Sequence, residues 1–241
     1  MKTALLIARR ELAAYFSSMT GFVIIAAVLV IDGLLFNAYA LGGPDKLSSE
    51  VLGLFFLFSR GTTIIASVFI SMRLLAEERQ TGTLVLLTSS PVHDREIVLG
   101  KWLSALAFIS ILTASTLFMP ALIFVNGKVS LGHVASGYLG LFLLGAASLA
   151  VGTFGSALAR TQVLAAIFSG CIVTALCVCW MLARVTERPF SGVIADLALQ
   201  PHHIMPFEAG VIHVKHVAYY VMITYFALFA ATRVLEARRW R

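Results

Sequence analysis

Four histidines and one glutamate are the side chains of this sequence best suited to bind a metal ion: His202, His203, His213, His216 and Glu208. Imidazole nitrogens and carboxylate oxygens are ordinary zinc ligands, and three or four of them held together would make a site. Adjacent histidines point in different directions, however, and no close ligand spacing recurs along this segment. We therefore expect no metal here, and instead a surface segment whose polar tips face lipid headgroups.

ATP hydrolysis would need a phosphate-binding loop of the type GxxxxGK[ST], and the sequence has none. The Gly-Lys pairs at 100–101 and 127–128 are followed by tryptophan and valine, and neither has a glycine five residues before its own glycine. No convergent set of ionisable residues predicts another catalytic site. We therefore expect that this chain is not an enzyme and binds no cofactor of its own.

The composition is that of a membrane protein. Hydrophobic residues make up 59% of the 241 residues and charged residues only 12%, with a mean hydropathy of +0.92. Soluble domains carry about 25% charged residues, which they need to cover their surface. The net charge of +6 is then a feature of membrane topology and does not predict nucleic-acid binding.

Six apolar runs are each long enough to cross a bilayer, since a spanning helix needs about 20 residues. They cover approximately residues 21–41, 51–72, 102–125, 134–158, 163–182 and 217–234. The sequence therefore predicts an all-α integral membrane protein, with one transmembrane domain of six helices over residues 1–241. Pro120 is expected to kink the third span near its end.

Three further segments are predicted to be helical without crossing. Residues 1–19 have helical apolar spacing but too many charges to span, which is typical of an interfacial helix. Residues 73–101, here called the connector, join spans two and three and should contain a short helix lying across the membrane face. Residues 183–216 are too polar to cross, and their apolar patches predict short helices on the opposite surface.

Lysine and arginine are distributed unequally between the two sides. Twelve lie on the side that carries both termini and the connector, whereas the other side has only Lys46, Lys128, Arg184, Arg188 and Lys215. Cytoplasmic loops of membrane proteins carry the excess of these residues. We therefore expect both termini and the connector in the cytoplasm, and residues 183–216 outside.

The connector has the features of a docking element for a soluble protein. Glu77 and Glu78 end the second span, and Thr81, Gly82 and Thr83 interrupt the helix. An apolar run that includes Leu86 and Leu87 follows and ends at Pro91. Such an arrangement projects a turn that a cytoplasmic partner could grip, although any two spans need a connection and charged connections are common.

Part of this segment resembles a known family. The sequence EERQTGTLVLLTSSPV, followed by EIVLGK, resembles the signature of the ABC-2 permeases, the membrane subunits of type-2 ABC exporters. RRELAAYFSS near the N-terminus and HHIMPFEAGVIHVKHVAYY before the last span resemble the branch of gliding-motility and nitrous-oxide-reductase-accessory permeases. Where the family often has an acidic residue, this chain has Leu84 and Val85, so its contact with an ATPase would be less charged.

The resemblance implies a pair of permease protomers, identical or closely related, gripped by a dimer of cytoplasmic ABC ATPases that bind ATP and Mg. It places coupling to the ATPase at Glu78, Thr81, Gly82 and Thr83, with Glu77 beside them. The apolar run with Leu86 and Leu87, up to Pro91, completes this set. It also implies a multi-pass protein of the bacterial inner membrane, surrounded by lipid.

Two charges lie inside predicted spans. Asp32 and Arg60 are both roughly 16–20 Å deep at 1.5 Å per residue, near the middle of the bilayer, so they could pair. Intramembrane charges usually face a partner or a polar cavity. We favour an ion pair that holds the first two spans together over a pair that lines a path between protomers.

Three functions are compatible with these features. The first is the permease of an ABC exporter. The second is a complex that transmits the work of its ATPase to an envelope or periplasmic partner at residues 183–216 without moving a solute. The third, an integral-membrane enzyme, is disfavoured because no catalytic constellation is present. The sequence does not name a substrate.

Overall fold

The computed structural model describes residues 2–41, 47–83, 92–126, 129–187 and 190–239. These residues are almost entirely helical. The helices are α1 (Lys2–Ser17), α2 (Met19–Leu35, continued by a π-helical turn at Phe36–Leu41), α3 (Ser48–Leu74), α4 (Ala76–Gln80), α5 (Asp94–Ser115), α6 (Phe118–Asn126), α7 (Leu131–Leu158), α8 (Gln162–Val185), α9 (Phe190–Leu197), α10 (Met205–Glu208) and α11 (Val214–Arg239).

The prediction of six membrane-spanning segments is confirmed. Within the described residues, six helical stretches are long and apolar enough to cross a bilayer: Met19–Tyr39, Ser48–Gln80, Asp94–Ile123, Leu131–Leu158, Gln162–Val185 and Val214–Ala237. Each contains most or all of one predicted span. The third is broken at Thr116 and Leu117, between α5 and α6, four and three residues before Pro120. A proline ring clashes with the carbonyl of the residue four positions before it, so the break at Thr116 is where Pro120 is expected to interrupt the helix.

Helix α7 is the centre of the bundle. In its apolar part, 78% of the residues are buried, compared with 17–22% for α2, α8 and α11. Small residues allow this close packing. A Cβ atom on Gly152 would lie 2.1 Å from Ser71 Oγ of α3, and one on Gly155 would lie 2.5 Å from Ser169 Oγ of α8. The small residues of this span therefore make contacts within one chain.

Helix α1 packs along the first half of α5. A Cβ atom on Gly100 would lie 2.7 Å from the carbonyl oxygen of Ala4, so only glycine permits this approach. Further along, the rings of Tyr15 and Phe108 are 5.1 Å apart. Helix α1 is thus attached to the start of the third span.

Part of the segment before α11 lies deeper than the sequence predicted. Ala198, Leu199, Ile204 and Phe207 are fully buried, and Phe207 packs against Gly140 of α7. The backbone N–H of Leu199 donates to Leu176 of α8 at 3.1 Å. Residues 198–207 are therefore inserted among the helices, whereas we expected the whole segment to lie on the surface. The hydrophobic effect explains the difference, since these apolar side chains are removed from water.

Candidate functional site

The second span does not end at α3 but bends at Leu75 into the short helix α4. The backbone N–H groups of Leu75 and Ala76 both donate to the hydroxyl of Ser156, each at 3.1 Å. A helix start has N–H groups without partners inside the helix, and buried ones must be satisfied from elsewhere. Ser156 of α7 satisfies two of them, so the bend is fixed to the central helix.

Helix α4 is also attached to the connection between α7 and α8. Arg79 Nη1 donates to the carbonyl oxygen of Ala159, and Gln80 Oε1 accepts from the backbone N–H of Gln162 at 3.2 Å. Ala76 and Ala159 are buried together in a small apolar cluster with Ala165. These contacts join α4 to the ends of two spans that are remote in sequence.

A buried lysine links α4 to α1 and α5. Lys101 of α5 is only 2% exposed, and its Nζ lies 2.8 Å from Glu78 Oε1 of α4 and 3.3 Å from Glu11 Oε1 of α1. A buried ammonium requires such partners, because an unpaired charge away from water is very costly. The three side chains therefore hold three helices at one point. We call them the Lys101 cluster.

A polar cavity lies beside this cluster. Its volume is about 370 Å³, and its walls include Tyr15, Ser18, Arg73 and Glu77 together with the Lys101 cluster. Arg73 Nε lies 2.8 Å from Glu77 Oε2, one helical turn away. Burial raises the pKa of Tyr15 above its ordinary value, so the phenol remains protonated. Each carboxylate at the cavity thus faces a cation: Glu77 faces Arg73, while Glu11 and Glu78 share Lys101.

The chain projects outward directly after α4. Thr81, Gly82 and Thr83 are exposed, and the two threonine hydroxyls are 2.9 Å apart. Gly82 has a φ of +76°, a left-handed conformation that glycine adopts without strain. The predicted residues Glu77, Glu78, Thr81, Gly82 and Thr83 therefore form one continuous element with an exposed tip. Leu86, Leu87 and Pro91 lie outside the described residues.

The expected ion pair between Asp32 and Arg60 is wrong. Asp32 accepts a hydrogen bond of 2.9 Å from the Thr62 hydroxyl, and Arg60 Nη1 lies 3.3 Å from Glu208 Oε1. Residues 60 and 62 are 200° apart around a helix of 3.6 residues per turn, so their side chains point away from each other. Arg60 therefore faces the inserted segment and not α2.

The histidines come together around His203. His203 Nδ1 lies 2.8 Å from His216 Nδ1, and His203 Nε2 donates to the carbonyl oxygen of Asp196 at 3.0 Å. Both ring nitrogens of His203 are thus used in hydrogen bonds. Among the described residues, no group of three or more His, Cys, Asp or Glu side chains could hold a metal ion. Glu208 instead pairs with Arg60.

Sequence reasoning missed the partners that fix α4. It predicted no partner for Lys101 of the third span or for Glu11 of the first helix. The sequence did indicate that Lys101 needs a partner, because a lysine followed by a long apolar run needs a buried acidic side chain or access to water. It missed Ser156 and Ala159 entirely, because a serine and an alanine in an apolar helix carry no distinguishing signal.

Comparison with known protein families gives one match. A family described as ABC-2 family transporter protein matches residues 61–207, which is more than half of the chain. The matched region begins within α3, includes α4 and its exposed tip, and ends in α10. No curated protein matches the chain.

Proposed function

This chain belongs to the ABC-2 family of transporter proteins, and from that premise we propose that it is the permease through which a separate cytoplasmic ATPase drives export across the bacterial inner membrane. Membership of the family and the six apolar helices make it a multi-pass membrane subunit of an ABC transporter. Three parts of this statement are proposed: the coupling to an ATPase, export as the direction of transport, and the bacterial inner membrane as the location. The gliding-motility and nitrous-oxide-reductase-accessory branch is the one that its terminal segments resemble.

The observation that carries the proposal is the attachment of α4. Its tip at residues 81–83 is exposed, whereas its body is bound to α7 through Ser156, to the α7–α8 connection through Arg79, and to α1 and α5 through Lys101. Packed helices move as rigid bodies because well-packed interiors do not deform continuously. A partner that displaced the tip would therefore displace the ends of several spans together.

The source of the energy lies in another chain. The sequence has no phosphate-binding loop, so we propose that ATP and Mg are bound by a dimer of cytoplasmic ATPase subunits that grips the exposed tip at residues 81–83 and the rest of the connector. The tip is then cytoplasmic, as are both termini. Residues 183–216 lie on the opposite side, where a periplasmic or envelope partner could reach them.

A second permease protomer is part of the same proposal. The apolar parts of α2, α8 and α11 are only 17–22% buried, so most of their surface must be covered by lipid or by another chain. Pairing of two such protomers would enclose a path between them. The partner is a copy of this chain or a close relative.

The proposal predicts that a bulky side chain at the tip releases the ATPase. Replacing Gly82 with tryptophan should cause the loss of the P-loop ATPase that co-purifies with the wild type from native membranes in mild detergent. Gly82→Ala is the matched control, because alanine meets the same backbone strain at a φ of +76° but adds almost no volume. Among the described residues, a Cβ atom at this position meets nothing within 4 Å, so the alanine control does not disturb the bundle directly.

Two results would contradict the proposal. One is that no ATPase is recovered with the wild type. The other is that Gly82→Trp and Gly82→Ala retain equal amounts, which would show that the tip is not where the ATPase binds. Equal protein abundance in the membrane is checked first, so that loss of the partner is not loss of the permease.

A further inference from the structure

A pair of buried histidines joins the inserted segment to α11. His203 is 1% exposed and His216 is 7% exposed, and their Nδ1 atoms are 2.8 Å apart. The ring of His203 also stacks on Tyr219 of α11, with centroids 3.6 Å apart. A hydrogen bond between two titratable groups thus joins the segment to α11, beside the bonds that the hydroxyls of Tyr219 and Tyr220 donate to the carbonyl oxygens of Leu197 and Leu199.

The hydrogen bond has a defined direction when both rings are neutral. A carbonyl oxygen can only accept, so His203 Nε2 carries the proton that it donates to Asp196. His203 Nδ1 is then unprotonated and accepts from the Nδ1–H group of His216. His216 is the donor, and its other nitrogen is free of a proton.

The pair tolerates one added proton but not two. A proton on His216 Nε2 leaves its Nδ1–H group in place and makes the bond to His203 charge-assisted and stronger. A second proton must go to His203 Nδ1, which then faces the Nδ1–H group of His216. Neither nitrogen can accept, and two positive rings lie in contact.

Burial and the neighbouring histidines oppose this second proton, whereas Asp196 favours it. The charged or titrating groups near the pair are His202, His213 and Lys215, with Asp196 as the acidic residue. Burial lowers the pKa of His203 below its ordinary value, and the nearby histidines lower it further. Tyr219 and Tyr220 of α11, and Cys177 of α8 close to them, are neutral at any pH at which histidine titrates.

We propose that the His203–His216 bond is an acid-sensitive latch that holds residues 196–207 against the start of α11 and releases them when both rings are protonated. Only the side of the membrane on which it acts rests on the proposed topology. The packed state has the lower pKa at His203, so the released state binds the second proton more readily. Packing is therefore favoured above the ordinary pKa of histidine, about 6.5, and is lost as the pH falls below it.

Amide hydrogen exchange of the purified complex tests the latch. Residues 199–211 contain protected backbone N–H groups, among them Leu199 bonded to Leu176 and Val211 bonded to Pro206. After correction for the intrinsic exchange rate, protection in this segment should be lower at pH 4.5 than at pH 7.5. The expected factor is about ten for each unit by which the pKa of His203 is higher in the released state than in the packed state. Protection in α7 should not change.

His216→Asn is the decisive variant. The asparagine amide can donate or accept near the position of Nδ1 and does not titrate, so protection should be the same at both pH values. His216→Phe removes the bond to His203 and should give low protection at both pH values. His213→Asn, which removes a nearby titrating ring without touching the bond, should retain the fall seen in the wild type.

The proposal is overturned if protection in the wild type does not change with pH. It is also overturned if His216→Asn loses as much protection as the wild type, since another group would then be responsible. Neither result would affect the binding of an ATPase at Gly82, so this inference and the proposed function fail separately.

Discussion

Replacing Lys101 with methionine should lower the free energy of unfolding by about 3 kcal/mol, the lower end of the cost of breaking a buried ion pair by removing one partner, because a carboxyl that loses its cation can take up a proton. Methionine has a similar length but no charge, so Glu78 would lose its cation, whereas Glu11 would keep its contact with Arg10 at 3.2 Å. For a chain of this size, 1 kcal/mol corresponds to about 2–4 °C in melting temperature. Thermal unfolding in detergent should therefore show a loss of roughly 10 °C.

Lys215→Met is the matched control for this prediction. Lys215 also contacts a carboxylate, Asp196 at 3.3 Å, but its side chain is 65% exposed. Exposed pairs contribute about 0–1 kcal/mol, so the control should melt within a few degrees of the wild type. If Lys101→Met and the control have the same melting temperature, the Lys101 cluster does not hold α1, α4 and α5 together. The proposed transmission of force would then lose its physical basis.

Replacing Glu208 with methionine should be at least as destabilising as the loss of Lys101, because it leaves Arg60 buried without a partner. The two side chains are 12% and 13% exposed, and their closest atoms are 3.3 Å apart. Arginine cannot lose its proton in a protein, so the charge persists, and the cost is about 3–5 kcal/mol. The same thermal unfolding measurement applies.

Replacing Arg60 with methionine should lower the free energy of unfolding by less than replacing Glu208 does. Burial raises the pKa of Glu208, so in Arg60→Met its carboxyl can take up a proton and become neutral. The double variant should recover much of the loss, because no uncompensated charge remains. An equal loss in both single variants, or no recovery in the double variant, would show that the pair is not what anchors the inserted segment.

The number and position of the spanning helices could be predicted because they depend on local composition. A run of about 20 apolar residues must form its backbone hydrogen bonds internally, so it becomes a helix wherever it lies in the bilayer. The resemblance to the ABC-2 family is confirmed by the match over residues 61–207. Its assignment of coupling residues, including Leu86, Leu87 and Pro91, stays a prediction.

Side-chain partners could not be predicted in the same way. Position along a helix gives the depth of Asp32 and Arg60, but not the direction of each side chain or which helix lies opposite. The partner of Arg60 is Glu208, from a segment that we expected on the surface. That segment is too short and too polar to be recognised as inserted, and only the cover provided by α7, α8 and α11 makes its burial favourable.

Site-specific photocrosslinking in native membranes tests the central claim most directly. A photoreactive amino acid at Thr83, in the exposed tip, is compared with the same amino acid at Leu131, which is 77% exposed at the opposite end of the bundle. We predict that Thr83 gives an adduct with a P-loop ATPase and that Leu131 does not. No ATPase adduct at Thr83, or an adduct there with an extracytoplasmic protein, would contradict both the docking site and the topology.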